Sequence, residues 1–299
     1  MTNSIRLSGM GVALVTPFTP QNTIDFPALG RLIDYQIEGG ASFIVVLGTT
    51  AETPTLTPAE RQAVQEFVAS HVNGRVPLVL GKGGNNTAAL IEDLRTSDLT
   101  GYSAILSVAP YYNKPTQQGL YSHFNAIADA SPLPVILYNV PGRTGVNLSA
   151  ATTLALALHP RIIAIKEASG SVTQAAEIAA KAPEDFFVLS GDDALTLPLI
   201  GVGATGVISV LGNAYPRRFS RLVNDALSGH AAAARTAHHL FGPLYRLLFA
   251  EGNPAGVKSA LAAMGLLQPG LRLPLTPVSE ATDTAIRQFV QEVSDNYQK

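Results

Sequence analysis

The chain has 299 residues, 46% of them hydrophobic and only 14% charged, with a net charge of -2. That composition supports a large apolar core and offers no basic field, so no nucleic-acid partner is expected. There is no cysteine, which removes disulfides, thiolate nucleophiles and thiolate metal sites together.

Residues 1–18 carry one arginine and an apolar run broken by Pro17, with no basic leader region, and are not read as a signal peptide. Eight apolar, β-branched-rich runs then follow one another, at 11–18, 42–50, 77–84, 102–110, 134–141, 162–169, 186–193 and 204–212. Such runs read as strands buried on both faces, as in parallel sheets. Stretches of helical period separate most of them. Residues 26–38 place Leu29, Leu32, Ile33 and Ile37 on one face. Thr57-Pro58-Ala59-Glu60 is a capping box with proline at the first helical position, opening a helix to Val72. Helices are also expected over 87–98, 116–130, 149–158, 172–182 and 217–227, with a short segment at 194–201. The window 197–214 is very apolar, but Gly201, Gly203, Gly206 and Gly212 make it a buried helix, turn and strand rather than a membrane span.

Strict alternation of strand and helix implies parallel strands with right-handed crossovers. Eight such units predict an α/β fold, a closed (β/α)8 barrel, over residues 1–228. An open doubly wound sheet is the alternative, but the turn Thr16-Pro17-Phe18-Thr19-Pro20 lacks the glycines of a nucleotide loop. Residues 229–299 read as a C-terminal helical appendage, with helices over 231–250, 254–264 and 279–298 and a proline-rich link at 271–277. A soluble cytoplasmic protein with no membrane partner is expected.

In a barrel of this type the chemistry sits at the C-terminal ends of the strands. The sixth run ends in Ile165-Lys166-Glu167. An amine held there and partly stripped of water is a nucleophile able to form a Schiff base with a carbonyl. The plainer reading is that Lys166 snorkels outward and pairs with Glu167. Tyr138, one strand away, has a phenol that can relay protons. Thr49 and Thr50 offer hydroxyls, and Arg143 presents a planar fork suited to a carboxylate, unless it is a surface turn arginine. In Tyr111-Tyr112 the two rings point to opposite sides, so one can face its own site and the other a neighbouring subunit, or simply pack at an interface. His71, His123, His159, His230, His238 and His239 all lie off the strand ends, which argues against a histidine metal site. A glycosidase pair would have to come from Glu52, Glu167, Asp192 and Asp193. Gly81-Lys82-Gly83-Gly84 lacks the Walker pattern, and its glycines are read as sites of close backbone approach.

Taken together, Gly48-Thr49-Thr50-Ala51-Glu52, Pro110-Tyr111-Tyr112-Asn113-Lys114-Pro115, Tyr138-Asn139-Val140-Pro141-Gly142-Arg143-Thr144-Gly145, Ile165-Lys166-Glu167-Ala168 and Leu189-Ser190-Gly191-Asp192-Asp193 resemble the dihydrodipicolinate synthase/N-acetylneuraminate lyase family of Schiff-base barrel enzymes. The resemblance spans nearly the whole chain and lies nearest the synthase branch. It implies that Lys166 binds pyruvate as an imine, and that Thr49, Tyr138 and Tyr112 form a proton relay, with Tyr112 crossing from a partner subunit. It further implies that the backbone of Ile208 lines the pyruvate pocket, and Thr50 stands beside these as a substrate-binding candidate through its hydroxyl. Arg143 would hold the carboxylate of L-aspartate 4-semialdehyde, and the chain would assemble as a homotetramer. No metal or organic cofactor is implied, because the imine is itself the electron sink. A keto-sugar-acid lyase of the same family is the alternative, and a non-catalytic barrel used for binding is the alternative of another class. Ala51 stands where the family usually has glycine. For end-product inhibition by lysine, Asn85 and Tyr111 match, but Ala89 replaces the acidic ligand, and Pro58 and Arg61 replace histidines, so weak or absent inhibition is expected.

Overall fold

A computed structural model describes residues 7–295. The first six residues of the N-terminal segment and the end of the last expected helix, 296–298, lie outside the described residues. Eight parallel strands close into a barrel in sequence order, with β1 hydrogen-bonded to both β2 and β8. The order is β1 (Gly9–Ala13), α1 (Phe26–Glu38), β2 (Phe43–Val46), α2 (Pro58–Val72), β3 (Leu78–Gly81), α3 (Thr87–Thr96), β4 (Ala104–Val108) and α4 (Gln117–Ala130). It continues with β5 (Val135–Asn139), α5 (Pro141–Thr144), α6 (Ala150–Leu156), β6 (Ile162–Glu167), α7 (Val172–Lys181), β7 (Phe187–Ser190), α8 (Thr196–Gly201), β8 (Gly206–Ser209) and α9 (Pro216–Leu227). Helices α10 (Ala231–Leu247), α11 (Ala255–Ala263) and α12 (Glu280–Asp295) follow. This is the (β/α)8 TIM barrel.

The strands alternate faces, as period two requires. Phe43, Val45, Val79, Ala104, Leu106, Ile136, Ala164, Leu189 and Ile208 fill the barrel interior. Their neighbours Ile44, Val46, Leu78, Leu80, Ile105, Val135, Leu137, Ile165, Val188 and Val207 pack outward under the helices. Gly11 belongs to the inner layer because a Cβ there would lie 2.2 Å from the Phe43 ring. The first strand starts and ends earlier than the run 11–18 suggests. Leu14 makes the last ladder bond, to Val45 O at 3.0 Å, and Pro17 has no N–H to continue it. Two of the glycines read as sites of close approach act so: a Cβ at Gly81, which ends β3, would lie 2.2 Å from Leu47 O, and one at Gly83 2.7 Å from the Val108 side chain, whereas a Cβ at Gly84 would meet nothing within 4 Å.

The expected helices form with their caps. Thr57 and Glu60 make the reciprocal capping box at 3.2 and 2.9 Å, and Thr116, Ser149 and Ser171 cap α4, α6 and α7. Helices α10 and α12 join α9 through an aromatic seam of Phe219, Phe241 and Phe289. Helix α11 and the segments beside it reach into the β2 loop. Lys258, fully buried, is ion-paired with Glu52 and donates to Gly270 O at 2.9 Å, with its ammonium 4.2 Å over the Phe18 ring. Arg272 grips Glu60 at 2.6 and 2.8 Å, donates to Thr55 O at 3.1 Å, and its backbone N–H reaches Glu52.

Candidate active site

Lys166 and Tyr138 occupy facing register positions on β6 and β5. Both follow an inward residue by two, Ala164 and Ile136, so both side chains point into the barrel mouth. The Lys166 ammonium lies 4.2 Å over the Tyr138 ring, and only 5% of the residue is exposed. Space for it depends on Gly191 after β7, where a Cβ would lie 3.1 Å from Lys166 Cε and 2.7 Å from Ala168 Cβ. Alternation also removes the pairing of Lys166 with Glu167. Glu167 points to the opposite face and accepts from Asn139, Gln174 and the Ser169 N–H instead.

Thr49 and Thr50 sit in a 3-10 turn after β2. Thr49 borders a cavity of about 1090 Å³ that is also lined by Tyr138, Arg143, Leu106, Val108 and Asn253. Thr50 is buried, and its hydroxyl accepts a 2.9 Å bond from Asn253 Nδ2. That leaves its own proton free to donate. Arg143 stands exposed on α5 at the rim and has no ion pair among the described residues. Ile208 on β8 is buried in the inner layer with Tyr138 and Leu189.

Tyr112 does not join this group. It is 89% exposed and adopts a left-handed φ of 73°, an outlier for a bulky residue. Tyr111 borders the cavity, and its carbonyl accepts from Asn85 at 3.1 Å. The structure therefore brings Lys166, Tyr138, Thr49, Thr50, Arg143 and Ile208 to one barrel end, and leaves Tyr112 projecting away. None of the four carboxylates considered for glycosidase chemistry is free. Glu52 pairs with Lys258, Glu167 is enclosed by amides, Asp192 caps the turn at the Ala194 N–H, and Asp193 binds Ser209, Val210 and Leu211.

A sequence model of the dihydrodipicolinate synthetase family matches residues 6–293. The chain belongs to this family. A 4-hydroxy-tetrahydrodipicolinate synthase from Parabacteroides distasonis is 54% identical over 291 residues, covering 97% of this chain and 98% of its own. The crystal structure of dihydrodipicolinate synthase from Aquifex aeolicus superposes with a TM-score of 0.93 at 40% identity, covering 96% and 98% of the two chains. A monomeric dihydrodipicolinate synthase variant superposes with a TM-score of 0.93 at 38% identity, covering 96% and 97%.

Two features of this dihydrodipicolinate synthetase family member were not singled out from the sequence. Asn253 is a polar residue in a helix-flanking turn, and only the fold carries it to Thr50. Helix α5 lies inside the stretch read as a strand end, with Pro141 at its first turn and Gly145 ending it in a left-handed conformation. Both signals were present, but a four-residue helix is too short for periodicity to show.

Asp193 carries a pH signature. Burial is the main cause pushing its carboxyl from 3.8 up to about 6, against the bonds from Ser209 at 2.6 Å and Leu211 at 2.7 Å. The folded state thus holds a proton that the unfolded chain releases between those two values. Its contribution to stability grows as pH falls through about 6 and is complete below 3.8. Relative to Asp193→Asn, the wild type is expected to gain about 1.4 kcal/mol per pH unit across that window. Urea unfolding of both proteins at a series of pH values measures it, and a gap independent of pH would contradict the assignment.

Proposed function

We propose that the chain is a 4-hydroxy-tetrahydrodipicolinate synthase, a Schiff-base lyase that condenses pyruvate with L-aspartate 4-semialdehyde. The observation that carries this reading is the buried Lys166 amine against the Tyr138 ring, with Arg143, which has no ion pair among the described residues, bordering the cavity that Tyr138 lines. The Lys166 amine attacks C2 of pyruvate, and loss of one water gives the imine. Tyr138 takes part in the proton transfers, with Thr49 beside it on the cavity wall. Loss of a C3 proton gives the enamine, whose C3 attacks the aldehyde carbon. The substrate's own amine then attacks the imine carbon, closes the ring and expels Lys166. Thr50, its hydroxyl oxygen already bonded by Asn253, donates its proton to the pyruvate carboxylate, and Ile208 closes the pocket through its backbone. Arg143 receives the carboxylate of the aldehyde bidentately.

Tyr112 completes the relay from a second subunit, and the working form is a cytoplasmic homotetramer. The strained backbone and exposure of Tyr112 support a role outside its own barrel. Residues 1–228 form the catalytic unit, and 229–299 the appendage that backs the β2 loop. A coupled assay with pyruvate and the semialdehyde, run beside N-acetylneuraminate cleavage, tests the reading. Turnover confined to the second substrate would overturn it in favour of the sugar-acid lyase.

Inhibition by free lysine is expected to be weak. Asn85 and Tyr111 are joined as a ligand site would need, but Ala89 presents a methyl group and Arg61 adds a cation to the cavity wall. Loss of one charge-assisted bond costs about 1.5–3 kcal/mol, which is roughly one to two orders of magnitude in affinity. Half-inhibition at sub-millimolar lysine would contradict this.

A further inference from the structure

Directly behind Lys166 and Tyr138 lies a closed polar network that the reaction does not use. Glu167 is buried, and its carboxylate is held by neutral groups alone. Asn139 Nδ2 donates to its two oxygens at 3.2 and 3.1 Å, Gln174 Nε2 at 2.9 Å, and the Ser169 N–H at 2.6 Å. No ion pair reaches it among the described residues. Asn139 Nδ2 also reaches Asn147 Oδ1 at 2.8 Å, and Asn147 Nδ2 donates to Gln174 Oε1 at 2.9 Å. The Leu148 N–H returns to Asn139 Oδ1 at 2.9 Å.

A carboxylate can only accept. It therefore dictates which way the Asn139 and Gln174 amides face, and through them which way Asn147 and Leu148 face. The Leu148 N–H holds Asn139 Oδ1 and the Leu148 carbonyl holds Gln174 Nε2 at 3.2 Å, so a neutral amide at 167 could offer only its one oxygen to these donors and would turn its own N–H groups against theirs. Asn139 and Glu167 are facing partners in the β5–β6 ladder, one register step beyond Tyr138 and Lys166. Fixing 139 to 167 on the outer face fixes 138 to 166 on the inner one. Asn147 and Leu148 lie just after α5, which carries Arg143, so the same network ties down the segment behind the carboxylate-binding arginine. A buried carboxylate with no ion pair at this place points to alignment.

We propose that Glu167, with Asn139 and Gln174, is the positioning device that holds the Lys166 amine against Tyr138. The inference rests on Lys166 as the imine-forming residue. The test follows trapping of the pyruvate imine by borohydride in wild type, Glu167→Gln, Gln174→Ala and the exchange variant Asn139→Asp/Glu167→Gln, beside kcat, KM and unfolding midpoints. The exchange variant moves the carboxylate across the ladder, where it accepts at position 139 from the amide placed at position 167. In folded Glu167→Gln the trapping rate and kcat are expected to fall about tenfold to a hundredfold, as misplacement of a reacting group does, with a smaller rise in KM for the semialdehyde through the segment behind Arg143. The exchange variant is expected to recover most of that loss. Gln174→Ala, which removes one donor, is expected to lose severalfold and decides the matter if Glu167→Gln does not fold. Trapping at the wild-type rate in folded Glu167→Gln, or in Gln174→Ala, would overturn the inference. So would an exchange variant that folds yet recovers nothing. Absence of trapping in the wild type would instead remove the proposed function itself.

Discussion

Lys166→Arg is expected to lower kcat by at least about a thousandfold, the scale seen when a covalent nucleophile is removed. The guanidinium keeps the positive charge but cannot serve as the amine that forms the imine. It also has to fit where Gly191 leaves room for a slimmer chain, so the variant's unfolding midpoint should be measured beside its activity. Wild-type protein treated with pyruvate and borohydride should carry the reduced adduct on Lys166, and the variant should carry none. Adduct on Lys82 or Lys258 would displace the assignment. Both are committed elsewhere, Lys82 to Asp93 and Ser97 at 2.7 Å and Lys258 to Glu52.

The second large effect concerns Arg143. Its removal should spare pyruvate and penalise the aldehyde. Arg143 has no acidic partner among the described residues, so Arg143→Ala deletes a donor fork without stranding a buried charge. A charge-assisted bond is worth about 1.5–3 kcal/mol, so kcat/KM for the semialdehyde should fall by roughly one to two orders of magnitude. KM for pyruvate and the rate of imine trapping should stay near wild type. Equal losses for both substrates would reduce Arg143 to a structural residue of α5.

The barrel was legible because its strands are buried on both faces. Runs such as Ile162–Glu167 need no alternation to be recognised, and the eight of them occur in order. Period two then decided a question that composition left open. It sends Lys166 inward and Glu167 outward, so the plainest reading of that dipeptide, a local ion pair, fails for geometric reasons. Thr50–Asn253 and Glu52–Lys258 were not legible. Their partners are separated by 203 and 206 residues, and no local pattern marks either residue as one of a pair. Helix α5 was hidden for the opposite reason, being shorter than the stretch over which a helical period becomes visible.

The grip of α11 and the turn before it on the β2 loop bears on how the protein is made. Thr50 leaves the ribosome 203 residues before Asn253, and Glu52 leaves 206 residues before Lys258. At about 5–20 residues per second, that interval is roughly 10–40 s. During it the strands of the barrel can pair, yet the turn holding Thr49 and Thr50 lacks its donor and its counter-charge. The nascent chain is thus a nearly complete barrel whose β2 turn stays unbraced until residues 253–258 have been made, so the proposed pyruvate pocket is finished only after the last strand and not with it.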